Sequence, residues 1–365
     1  MRIHSQSILK PIDKQERLKY DRANSPRMVL PWITLLMWQH NQTPRDLNQL
    51  KERSRMAKKV IIDCDVGVDD ALALILAFHS PELNVEAITG VSGNVPLDLV
   101  FENIQKVLCL IQPKNKPLIA KGADRPLKRD PVYAFSFHGE KGLGRATIDK
   151  KETEEWYRIF SGKADELITT LARQDPNELT LIAVGPLTNV AIALQRDLEG
   201  MKKLKEVVIM GGAVRVKGNV TPYAEFNIFV DPLAAKMVFE SGLPITLVPL
   251  DVTHQVYLTP RVMEEKVEPL NNLLSQFVVE ATQYSLYSQL FVKKSDVFHL
   301  HDPLAVGVAI DRDLAGMERL SIHVETGEGE YYGQTKEVEG SPNINACLNV
   351  NSETFLHLFL SRLSS

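Results

Sequence analysis

From Met56 onward, short apolar runs rich in β-branched residues alternate with longer stretches of amphipathic pattern. Val60-Ile61-Ile62 opens the series as a strand, and Asp69 to Phe78 follows as a helix. The spacing then predicts a strand over Val85 to Ile88, a helix over Leu97 to Ile111 and a short strand over Leu118 to Ala120. A helix over Ala164 to Arg173 precedes a strand at Leu179 to Val184, a helix from Pro186 to Gln195 and a strand at Val207 to Met210. Pro232 to Glu240 reads as a helix that Gly242 ends, Ile245 to Leu250 as a strand and Asn271 to Tyr287 as a long helix. Strands alternating with helices of this length pair in parallel through right-handed crossovers. Their continuous apolar runs further imply a sheet covered on both faces. The predicted class is α/β, with a mostly parallel central sheet and flanking helices.

In such sheets the ligand crevice lies outside the carboxyl ends of the strands. Polar residues that gather just after each predicted strand should therefore belong to one site. Asp63, Asp65, Asp69 and Asp70 follow the first strand, and Ser92-Gly93-Asn94 the second. Gly185 and Asn189 follow the strand at 179–184, Gly211-Gly212 the one at 207–210, and Asp251 and His254 the last.

Charge changes the picture at the amino terminus. Residues 1–55 carry eleven Lys and Arg against five Asp and Glu, leaving 31 basic and 41 acidic residues in the remainder. This leader has no sustained periodicity and reads as a basic, disordered extension on a catalytic domain at 56–365, with mitochondrial import disfavoured by its acidic residues. The expected location is cytoplasmic. A formal net charge of −4 over 365 residues argues against a nucleic-acid binder. Cys64, Cys109 and Cys347 lie far apart, which excludes a disulfide scaffold or a cysteine zinc site and fits a reducing compartment. The longest candidate span, Met28 to Trp38, contains Pro31 and falls well short of the roughly 18 apolar residues a membrane helix needs.

The densest chemical signal is Asp63-Cys-Asp65-Val-Gly67-Val-Asp69-Asp70. Four carboxylates within eight residues repel one another unless positive charge sits among them. Carboxylate oxygens select a hard divalent cation, Ca²⁺ or Mg²⁺. Gly67 permits a tight passage from strand to helix. A second signal, His299-Leu-His301-Asp302-Pro303, offers a further carboxylate ligand after another strand and a histidine able to act as an acid near neutrality. A third, Gly218 to Asn227, supplies Asn219, Glu225 and Asn227 as hydrogen-bonding groups suited to hydroxyls.

Together these segments resemble the nucleoside hydrolases, the inosine–uridine-preferring N-ribohydrolase family. Asp63 to Ala71 is similar to that family's amino-terminal signature. Asn94, Val184-Gly-Pro-Leu-Thr-Asn189, Met210-Gly-Gly, Asn219 to Asn227 and His301-Asp302 follow in the family's order across about residues 58–361. Val66 stands where many members have Pro, and one extra residue separates Met210 from Asn219.

The resemblance implies a Rossmann-like nucleoside hydrolase fold, a calcium ion and hydrolysis of ribonucleosides of the inosine or uridine type to ribose and free base, for salvage or catabolism. Asp65 matches the general base and touches the ion; Asp70, Asp302 and the backbone carbonyl of Val184 match further metal ligands, and Asp63 braces the cluster. Asp69 and Asn227 match ribose-binding positions, Asn219 and Glu225 the groups at the 5′-hydroxyl, and Asn94 and Met210 other sugar contacts. His301 matches the acid that protonates the departing base, His138 a histidine near the nucleobase, and Tyr284 falls in the region of the base-side wall, with Tyr287 and Phe298. The implied partners are a ribonucleoside and a second or further copies of the chain, as homodimer or homotetramer, with neither nucleic acid nor membrane. Two other readings compete. A haloacid-dehalogenase-type phosphohydrolase also opens on Asp-x-Asp, but expects Thr or Val two residues beyond the second Asp, where this chain has Gly67 and then Asp69-Asp70. A non-catalytic, calcium-bound nucleoside-binding protein on the same scaffold would not need both Asp65 and His301.

Overall fold

Nine strands form the central sheet of the computed structural model, which describes residues 57–148, 155–292 and 296–364. The expectations for residues 1–55 and for Met28 to Trp38 lie outside the described residues. In chain order the strands are β1 (Lys58–Cys64), β2 (Leu83–Gly90), β3 (Leu118–Lys121), β4 (Arg158–Ile159), β5 (Thr180–Ala183), β6 (Glu206–Met210) and β7 (Ile245–Val248). Then come β8 (Tyr257–Leu258), β9 (Phe298–His299), β10 (Ala315–Leu320), β11 (Ile322–Val324), β12 (Thr335–Glu337) and β13 (Ile344–Val350). The sheet order is β10-β13-β7-β6-β5-β1-β2-β3-β4, and every pair in it is parallel except β10 with β13. The short strands β8 and β9 pair with each other, as do β11 and β12.

The α-helices of four residues or more are α1 (Val68–Phe78), α2 (Leu97–Ile111), α3 (Phe135–His138), α4 (Ala164–Gln174), α5 (Thr188–Met201) and α6 (Phe226–Val230). They continue with α7 (Pro232–Phe239), α8 (Leu250–Thr253), α9 (Leu273–Val292), α10 (His301–Ile310) and α11 (Ser352–Leu363). Side chains of β1 alternate between the faces, so Val60, Ile62 and Cys64 join one hydrophobic core and Ile61 the other. Residues of α1, α2, α9, α10 and α11 build the first core, and those of α4, α5 and α7 the second. Covering both faces explains the unbroken apolar runs.

Two features position the site. The strand order reverses between β1 and β5, which opens a crevice at their carboxyl ends. Helices α1 and α10 pack against each other, and both are buried nearly all round. A helix apolar on every side belongs inside a core, and this contact brings the acidic first turns of α1 and α10 together.

Three elements add to or adjust the sequence reading. The antiparallel edge of β10 and β13 was not signalled, because Ala315–Leu320 is mostly exposed and has no sustained apolar run. Asp302 follows the strand β9, as expected, and sits in the first turn of α10, where Pro303 is well tolerated. Pro186 and Leu187 precede the helix expected to begin there, which runs instead from Thr188 to Met201. All three cysteines are buried free thiols.

Candidate active site

The stretch from the end of β1 through the first turn of α1 carries four of the five carboxylates at the centre of the crevice. Asp63, Asp65 and Asp70 are wholly buried, and Asp69 and Asp302 nearly so. At the end of β1, Asp63 accepts hydrogen bonds from the Thr89 hydroxyl of β2 and from Asn189 Nδ2 (2.7 Å) at the start of α5. Asp70 accepts from the backbone N–H of Gly67 (2.8 Å) and of Asp65 (3.1 Å), and from Asn94 Nδ2 (3.0 Å). Asp65 accepts from the Asn94 N–H at 2.6 Å. Its carboxylate presses so closely on the turn after β2 that a Cβ on Gly93 would lie 2.1 Å from Oδ2. Gly67 is equally constrained, because a Cβ there would meet His138 Nδ1 at 2.5 Å.

Asp69, Asp70 and Asp302 each offer an oxygen within 4.8 Å of one another. Asp65 lies beside Asp70, and its charge, with those of Asp69 and Asp70, acts on Asp302. Burial is the main cause that raises all five carboxyls above the ordinary value of 3.8, with Asp63 pushed up to about 7 and Asp69 to about 8. Mutual repulsion adds to the shift at Asp65, Asp69 and Asp302. No donor reaches Asp63 Oδ2, Asp65 Oδ1 or Asp69 Oδ1, although all three are buried. Hard oxygen donors, crowding and donor-less buried oxygens are the attributes of a site that can bind a metal ion.

Above this floor opens a cavity of about 750 Å³. Asp69, Asn94, Val184, Met210, Asn219, Glu225, Asn227, His138, His301 and Asp302 line it, so most of the residues singled out in the sequence meet in one place. Asp65 and Asp70, both wholly buried, are not part of that lining. Asn227 Nδ2 donates to the carbonyls of Val184 (2.8 Å) and Met210 (3.2 Å), tying α6 to the ends of β5 and β6. Glu225 caps α6, accepting from the N–H groups of Asn227 (2.8 Å) and Ile228 (3.1 Å), and also from Gly212 (2.9 Å). Asn219 Oδ1 accepts from the Phe226 N–H at 3.0 Å, which holds the 219–227 loop over the cavity.

Two histidines face this polar side. The buried His138 accepts from the Val68 N–H through Nδ1 at 3.0 Å, and burial pushes its pKa down to about 3. It is therefore a neutral imidazole with its proton on Nε2. His301 meets the Thr253 hydroxyl through Nδ1 at 2.7 Å and packs against the rings of His254 and His299.

The expected aromatic wall differs from the one found. Tyr284 sets its hydroxyl 3.5 Å from the Phe135 carbonyl, off the cavity lining, while Phe298 is in the core and Tyr287 is exposed. On α9 the helical turn sets Tyr284 toward α3, and Phe298 on β9 points into the core. Tyr133, Phe137 and Phe226 line it instead, with His254 and His299. Of the segment 132–138 the sequence singles out only His138; the rest shows no periodicity, and its place after β3 is the remaining signal. Thr253 was missed as well, although its neighbour His254 stood among the residues after β7.

The chain matches the family described as "Inosine-uridine preferring nucleoside hydrolase" over residues 60–357. It is 36% identical over 316 residues to the pyrimidine-specific ribonucleoside hydrolase RihA of Klebsiella pneumoniae subsp. pneumoniae, covering 85% of this chain and 99% of the relative. Among solved structures it resembles a purine-preferring ribonucleoside hydrolase from Gardnerella vaginalis, with 30% identity and a TM-score of 0.78, over 84% of this chain and 98% of the other. It also resembles a plant nucleoside hydrolase, the PpNRh1 enzyme, with 29% identity and a TM-score of 0.79, over 85% and 100% of the two chains.

Proposed function

Since the chain belongs to the inosine-uridine preferring nucleoside hydrolase family and is an N-glycosyl hydrolase of ribonucleosides, we propose that it is calcium-dependent and that Asp65 and His301 are its catalytic pair. The observation that carries this reading is the buried group of carboxylates under one cavity, with His301 on the cavity wall. Asp65, Asp70, Asp302 and the Val184 carbonyl would hold the ion. Asp69 stands close enough to share it or to take a ribose hydroxyl. The Val184 carbonyl already accepts from Asn227, but a carbonyl oxygen has a second lone pair. When bound, the ion supplies a Lewis acid that lowers the pKa of a water and engages the ribose diol.

The chain's own groups do the rest. Asp65 takes the proton of the attacking water, its carboxylate oriented by the Asn94 N–H. Attack opposite the base inverts the anomeric carbon. Asp69, Asn227 and Asn94 orient the sugar, and Met210 packs against it. Glu225 and Asn219 have oxygens committed to backbone N–H groups, which fixes them for the 5′-hydroxyl. A carboxylate accepts about four hydrogen bonds, so Glu225 keeps capacity for one more. His301 donates a proton to the base as the C1′–N bond breaks with its electron pair. His138 contacts the nucleobase as a neutral donor. Uridine is the preferred substrate over inosine, supported by the name of the Klebsiella relative.

The enzyme would serve nucleoside salvage or catabolism in the cytoplasm as a homodimer or homotetramer. Among the described residues no helix is long and apolar enough to cross a membrane. Rates on uridine, cytidine, inosine and adenosine, before and after calcium depletion, test the reading. Turnover restored by calcium supports it, and turnover indifferent to depletion contradicts it.

A further inference from the structure

We infer that Thr253 is a positioning residue for this reaction: its hydroxyl fixes the ring of His301 so that Nε2, and not Nδ1, serves the leaving base. This deepens the reading of His301 as the acid and rests on it. The hydroxyl is fully buried and lies 2.7 Å from His301 Nδ1. It stands at the end of α8, a single turn whose place is fixed several times over. The Thr253 N–H donates to the Pro249 carbonyl at 3.1 Å, and the Leu250 N–H to the Gly212 carbonyl at 2.9 Å. Asp251, on the same turn, accepts from the N–H groups of Val214 (2.9 Å) and Arg215 (2.8 Å). The hydroxyl therefore does not follow the ring; the ring follows the hydroxyl.

An imidazole flips between two orientations unless something distinguishes its nitrogens. His254, with its ring 5.8 Å from that of His301, and His299, stacked at 5.4 Å, confine the plane of the ring without making that distinction. A hydroxyl makes it in either charge state, since it can donate to a bare Nδ1 or accept from a protonated one. The acid step then balances. Nε2 gives its proton to the base, which has received the C1′–N electron pair. Nδ1 keeps its own proton on the Thr253 oxygen, and a neutral imidazole remains. The hydroxide equivalent at C1′ comes from the water deprotonated by Asp65.

The test is kcat and KM of Thr253→Val and Thr253→Ser on uridine and on nitrophenyl riboside, whose leaving group departs without a proton. His301→Ala is measured in parallel. Valine keeps the shape and removes the hydroxyl. The expected result is a fall of about tenfold or more in kcat on uridine for Thr253→Val, a fraction of what general acid catalysis contributes. KM and the nitrophenyl riboside rate should stay within about twofold, and Thr253→Ser should restore the uridine rate. Equal losses on both substrates, or no loss on uridine, would overturn the inference for Thr253. If His301→Ala is itself unselective between the substrates, the assignment of the acid fails and the Thr253 inference falls with it. A selective His301→Ala beside an unaffected Thr253→Val fails Thr253 alone.

Discussion

The two sides of the cavity are built in opposite ways. On the carboxylate side, Asp63, Asp65, Asp70 and Glu225 are buried and held by backbone N–H groups or short polar side chains. Their supports come from β2, from the segments after β1, β2 and β6, and from the first turns of α5 and α6. On the opposite side, His254, His299 and His301 are partly exposed and pack against one another's rings, with the Thr253 hydroxyl on His301. The first side suits a task that demands fixed geometry, the binding of a cation and a sugar. The second offers apolar and imidazole faces, on which the proposed mechanism places the nucleobase, and is where members of one fold can differ in the base they accept.

Changes on the carboxylate side should be the most damaging. Asp65→Ala is expected to reduce kcat by about 10³-fold or more, within the range for a lost general base. Its circular dichroism should stay native, and near-normal turnover would show that the base lies elsewhere. On the other side, His301→Ala should cost about 10²-fold on uridine and little on nitrophenyl riboside.

The metal-free protein should also respond to pH through its carboxyls. Asp63 and Asp69 titrate at about 7 and 8 when folded, against an ordinary 3.8, so the folded state holds protons that the unfolded chain releases. Their contribution to stability is complete below about pH 4 and is lost as pH rises through 7 to 8. Melting temperatures of calcium-depleted protein should therefore fall across that interval, and saturating calcium should flatten the decline. A flat profile without calcium would contradict the electrostatic account. Gly67→Ala forces a Cβ onto His138 and should cost about 1–3 kcal/mol of stability by urea unfolding. Tyr284→Phe, off the cavity, should change turnover and stability least, by about 0.5 kcal/mol or less.

The sequence was most readable where chemistry and chain position coincide. Asp63 to Asp70 declare themselves because so many carboxylates after a buried strand need a shared explanation. The rule that ligands gather at the carboxyl ends of parallel strands then adds Asn94, Asn189 and His254. The joining of Asp302 to Asp69 and Asp70 rests on the packing of α10 against α1, a contact between segments more than two hundred residues apart that no local pattern encodes. Tyr133 and Phe137 stayed hidden because they lie after β3, where the single-turn helix α3 is too short to show a periodicity. Tyr284 misled because an aromatic on a helix reads the same whether it faces a cavity or a neighbouring turn. The antiparallel strand β10 escaped because an exposed edge strand lacks the unbroken apolar run that marked the central ones.

Titration calorimetry with calcium on the metal-depleted chain, beside its Asp70→Asn variant, tests the central claim most directly. The account predicts one ion bound per chain, with affinity lowered by about 10²-fold or more when one ligand charge is removed, in keeping with the dependence of calcium affinity on ligand charge. Absence of binding to the unmodified chain, or equal affinity in the variant, would contradict it.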